Sequence, residues 1–197
     1  MESVPPALLD ELRERHGEPG RHYHSWAHIE ALLRWFDEVE PRLADADAVR
    51  WAILFHDAVY DPTRGGNEER SAALLEEKAA GLLDPTTLAR AARLVRATAG
   101  HAIPDGLPAH EANDMALFLD MDLSILGAPA AVFDRYEADV RAEYSHVPEP
   151  AFGAGRRRIL ENFLSRPALF LSDWGRATFE AAARANLARS IARLSAP

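Results

Sequence analysis

Apolar residues recur along this chain at helical spacing. Leu8, Leu9 and Leu12 form one stripe of a short first helix. Ser25 is placed to cap a second helix carrying Ile29, Leu32, Leu33 and Phe36, and Pro41 closes it. Residues 44–60 hold Val49, Ala52, Ile53, Leu54 and Ala58 and read as a buried helix. The run DPTRGG, 61–66, is a loop. NEERSAALLEEKAAGLL follows as a helix with Asn67 as its cap, and Pro85 suits the first turn of the next, through Leu88, Ala92 and Val95. Beyond the proline- and glycine-bearing loop 100–110, helices resume over about 112–126, 129–145, 154–165 and 174–194. No alternating strand pattern and no internal repeat interrupts them. The expectation is an all-α single domain over residues 1–197. It has about seven to nine helices, with those of 150–195 packing on the rest.

Composition narrows the chemistry. With 48% apolar residues among 197, the chain can build a core and is not a disordered tail. It has no cysteine, which excludes disulfides, thiolate metal sites and cysteine nucleophiles. A metal here needs His, Asp and Glu, and the chain has eight histidines and 31 acidic residues. The net charge of −9 argues against a nucleic-acid polymer as partner. The start, MESVPPALLDELRERHG, has no long apolar stretch, and no window approaches a membrane span. A cytoplasmic protein with no membrane association is expected.

Three histidines crowd into RHYHSWAH, 21–28. His24 and His28 are four apart, a spacing that places two imidazoles on one metal when both are helical. His24 precedes the expected cap, however, so only His28 is securely on the helix, and His22 and His24 fit an exposed loop equally. His56 and Asp57 end the apolar run WAILFHD. Polar groups at that place need partners, either a metal or a hydrogen-bonded core pair. In FLDMDLSILG, Asp120 and Asp122 are two apart and point away from each other on a helix, so at most one aims at a given centre. Asp122 also suits a helix cap. Glu68 and Glu69 suit the first turn of their helix through its dipole. His101 and His110 flank the proline-rich loop. Arg156, Arg157 and Arg158 read as a solvated face or a phosphate contact.

In order, His28, His56-Asp57 and Asp122 resemble the H…HD…D signature of the HD superfamily of metal-dependent phosphohydrolases. The segments YHSWAHI, LFHDAVYD, NEERSA, TAGH and FLDMDLSILG are similar to a bacterial subgroup of similar length, described as predicted phosphohydrolases. The resemblance covers residues 20–145. It implies a helical bundle whose metal ligands are His28, His56, Asp57 and Asp122, with Asp120 as rival for the last place. It implies hydrolysis of a small phosphorylated molecule, a nucleotide or related phosphoester, by metal-activated water. The donor set suits Mn²⁺, Co²⁺, Fe²⁺, Ni²⁺, Zn²⁺ or Mg²⁺. Glu68 is the preferred proton acceptor and Asp61 its alternative. Arg21, His24 and Asn67 are the candidates to hold the substrate. A second metal on His101 and His110 is the variant that leads either to two-metal phosphoester hydrolysis or to a di-iron HD-type oxygenase. A non-catalytic metal-binding helical module and a homodimer also stay open.

Overall fold

The computed structural model describes residues 4–195. The fold is all-α, with nine α-helices and no β-strand among the described residues. No single helix is long and apolar enough to cross a membrane. The chain divides into two compact units, one running to Met121 and the other starting at Asp122.

The first unit is built around a short, largely buried helix. It contains α1 (Pro6–His16), α2 (Trp26–Val39), a 3-10 turn (Glu40–Arg42), α3 (Ala46–Phe55), α4 (Asn67–Lys78), α5 (Pro85–Ala97) and α6 (Ala109–Asp122) up to its last residue. In α3, Ala48, Val49, Trp51, Ala52, Ile53, Leu54 and Phe55 are all buried. Only Ala46, Asp47 and Arg50 stay partly exposed, so most of the helix surface must be covered, and α2, α4 and α5 pack against it. Each large side chain so buried contributes about 1.5–3 kcal/mol.

The ends of α3 are set by polar groups. Asp45 caps its start by accepting from the Ala48 amide, while its other oxygen accepts from Thr87 and Arg90 of α5. The buried Asp114 of α6 accepts from the amides of Ala44 and Asp45. The helix stops at Phe55, short of the expected Tyr60, because His56 and Asp57 turn the chain out.

The start of α4 also differs from expectation. Gly66, at φ +76°, occupies the capping position, and Asn67 is the first helical residue. Asn67 instead braces the preceding loop, accepting from the Asp61 amide and donating to its carbonyl.

The second unit holds a 3-10 turn (Leu123–Gly127), α7 (Ala130–Glu143), α8 (Glu149–Leu164) and α9 (Asp173–Leu194). The long α9 packs on α8 and on the 3-10 turn. At Gly127 the fit leaves no room for a side chain, since an added Cβ meets Phe179 at 2.6 Å. Asn186 fixes the same turn by donating to the carbonyls of Leu126 and Ala128. Arg156, read as surface from sequence, is instead mostly buried, paired with Glu137 and bonded to the Tyr136 hydroxyl.

Candidate metal centre

Three segments of the chain bring their donors to one point. His28 lies in the first turn of α2, facing inward beside the buried Ile29 and Leu32. His56 and Asp57 form the turn that ends α3. Asp122 is the last residue of α6. The unit boundary falls inside that last turn, so Asp122 is carried on a helix whose other residues belong to the first unit.

His28 Nε2 is 3.1 Å from His56 Nε2. Asp57 Oδ2 is 3.1 Å from His56 Nε2 and 3.8 Å from His28 Nε2. Donor atoms of His28, His56 and Asp122 lie within 4.8 Å of one another, a His-His-Asp group able to hold a metal ion. Metal–nitrogen bonds of about 2.0–2.1 Å put two nitrogens on one ion about 2.9 Å apart at a right angle and about 3.3 Å apart at the tetrahedral angle. The observed 3.1 Å falls in that interval.

The protonation pattern strengthens the fit. His56 Nδ1 is 2.9 Å from the carbonyl of Ile53, which can only accept, so this nitrogen carries the hydrogen. In the neutral ring, Nε2 is then a lone pair facing a second imidazole and a carboxylate oxygen. Two acceptors at 3.1 Å repel unless a cation, a proton or a metal, lies on Nε2. His56 is 1% exposed, so no water relieves the conflict from outside. A backbone carbonyl on the far nitrogen is also the usual arrangement behind a metal-ligating histidine. Burial alone would raise the Asp57 carboxyl. Charge and hydrogen bonding from His56, with His24 and His28 beyond, instead hold it below the usual carboxylate range. It is an anion in the folded protein, as a ligand must be.

The surrounding residues divide. Asp120 is fully buried and stands outside the three-residue group, so of the two rivals it is Asp122 that reaches the centre. His24 stacks on Tyr60 with ring centroids 4.2 Å apart, and Tyr23 tilts over His28 at 4.8 Å. Ser25 occupies the capping position of α2, but its hydroxyl turns back to the Tyr23 carbonyl. Asp61 accepts from the amide and hydroxyl of Thr63, which hold its carboxyl below the ordinary value. Glu68, half-buried in the first turn of α4, makes no hydrogen bond or ion pair among the described residues. Its helix is fastened to the segment after Asp57, because the Ser71 hydroxyl bonds both the amide and the carbonyl of Val59. His101 sits in a loop at φ +46°, and His110 is exposed in the first turn of α6. Neither joins the His28, His56 and Asp122 group.

Arg21 is the residue whose placement the sequence did not suggest. The resemblance makes it a candidate to hold the substrate. Its guanidinium instead donates to the carbonyls of His24, Asp57 and Ala58 and to the Glu18 carboxylate. Backbone acceptors carry no sequence signature. No family model matches the chain, and neither a search of curated proteins nor one of solved structures found a match.

Proposed function

We propose that the chain is a metal-dependent hydrolase of the HD type, acting on a small phosphorylated molecule such as a nucleotide or related phosphoester. The observation that carries this reading is the convergence of His28, His56 and Asp122 on one point, with Asp57 beside them and His56 held as an Nε2 donor. Their chain order matches the resemblance noted in the sequence. Mixed imidazole and carboxylate donors suit Mn²⁺, Co²⁺, Fe²⁺, Ni²⁺ or Zn²⁺, with Mg²⁺ also admitted by the carboxylates.

A divalent ion bound there supplies a Lewis acid for a phosphoryl oxygen and lowers the pKa of water towards about 7. Ile53 fixes the His56 ring so that its lone pair faces the centre. Glu68 is the proton acceptor. It has no competing partner among the described residues and sits in the first turn of α4. Asp61 is the weaker choice because Thr63 engages its Oδ1 twice. A single group of ligands, apart from His101 and His110, favours hydrolysis at one ion over two-iron oxygen chemistry.

The test is turnover of a panel of mononucleotides and other phosphomonoesters by chelator-stripped protein resupplied with each divalent ion. Activity should return with Mn²⁺ or Co²⁺. Glu68→Gln should lower kcat by about 10²–10⁴-fold while metal uptake is unchanged. No turnover with any ion across the panel overturns the reading.

A further inference from the structure

The geometry points to Arg21 as a positioning residue that sets the distance between the His28 and His56 ligands. We infer this on top of the metal reading above. Arg21 lies in the segment between α1 and α2, and its side chain is 2% exposed. One nitrogen, Nη1, donates to two carbonyls from separate parts of the chain, His24 at 3.2 Å and Asp57 at 2.6 Å. Nη2 reaches the Ala58 carbonyl at 3.2 Å. Nε and Nη2 contact the Glu18 carboxylate at 3.3 and 3.2 Å, and the guanidinium lies 5.6 Å from the Tyr60 ring centroid.

The joined backbone positions are the ones that matter. His24 lies four residues before His28, in the loop that enters α2, and Asp57 directly follows His56. A planar fork of fixed donors holds two carbonyls at a set spacing in a way that a flexible ammonium cannot. The same bonds give a donor to the Asp57 and Ala58 carbonyls, just past the end of α3, where a cation is favoured. Arg21 therefore fastens the loop that leads into the His28 helix to the turn that carries His56 and Asp57.

Charge and geometry act in opposite senses here, so affinity separates them. A buried guanidinium repels a nearby divalent ion. If it acted through charge alone, its removal would tighten metal binding. If it positions the ligands, its removal loosens metal binding and changes the coordination geometry.

The experiment uses the full chain, freed of metal and titrated with Co²⁺. It follows affinity and the visible ligand-field band, with circular dichroism to report the fold. Arg21→Met should weaken Co²⁺ binding by about 10–100-fold, the range for residues that orient metal ligands, and should shift or broaden the band. Arg21→Lys keeps charge and length and serves if the methionine variant fails to fold. It should show the same changes in smaller measure. Wild-type affinity and band in either folded variant, or tighter binding, overturn the inference. Wild-type protein that takes up no Co²⁺ overturns the metal reading itself, and this inference with it.

Discussion

His16 makes a quantitative prediction about pH. It closes α1, is 1% exposed, and meets Trp26, the first residue of the His28 helix, edge to face at 5.8 Å. Its Nδ1 donates to the Leu12 carbonyl at 2.8 Å, while Nε2 has no hydrogen-bond partner among the described residues. Burial pushes its pKa down to about 4; the Leu12 carbonyl opposes this only in part, and the charges of Arg21 and His56 add to it. In the unfolded chain a histidine titrates near 6.5. Between these values the unfolded state binds a proton that the folded state refuses, so stability rises with pH through the window. Above pH 6.5 the ring is neutral in both states, and its titration no longer changes stability. As pH falls towards 4 the protein loses up to about 3 kcal/mol from this one group, at about 1.4 kcal/mol per pH unit. His16→Phe keeps a ring in the space and removes the titration. Between pH 7 and pH 4 the variant should lose about 3 kcal/mol less than wild type. Urea unfolding followed by tryptophan fluorescence at four or five pH values measures this. A general effect of the larger ring shifts both ends of the curve equally. Parallel pH curves for the two proteins refute the reasoning.

Three other substitutions test the packing. Asp114→Ala leaves the Ala44 and Asp45 amides without the carboxylate they bond at 3.0 and 2.9 Å, and at about 1–3 kcal/mol each the loss should exceed about 2 kcal/mol in urea unfolding. Gly127→Ala drives a methyl to within 2.6 Å of Phe179 Cβ and 2.9 Å of its backbone, which cannot swing aside. It should destabilise by about 1–3 kcal/mol and lower Tm by several degrees. Arg96→Ala breaks a visible surface network with Glu69 and Glu76, yet should change stability by less than about 1 kcal/mol, because solvent already screens those charges.

What the sequence could and could not show follows from the range of each interaction. WAILFHD was legible as a buried helix with a polar end, because an apolar run and its terminus are local facts. So were Pro85 in the first turn of α5 and the helical periods throughout. The exact exit of α3 was not legible, since His56 and Asp57 leave the helix to meet donors from elsewhere. Asn67 looked like a cap by residue type. Gly66 takes that position through its left-handed backbone, which leaves Asn67 free to brace Asp61. The choice between Asp120 and Asp122 depends on the phase of α6 against α2 and α3, a tertiary quantity. The role of Arg21 rests on three backbone carbonyls, and any sequence supplies those.

The central claim is that His28, His56, Asp57 and Asp122 hold one divalent ion. Crystals of the protein grown with Mn²⁺, measured on either side of the manganese absorption edge, test it most directly. The account predicts one anomalous peak per chain, bonded to Nε2 of His28 and His56 and to the carboxylates of Asp57 and Asp122. A map with no peak among these four residues, or with manganese bound only elsewhere, contradicts it.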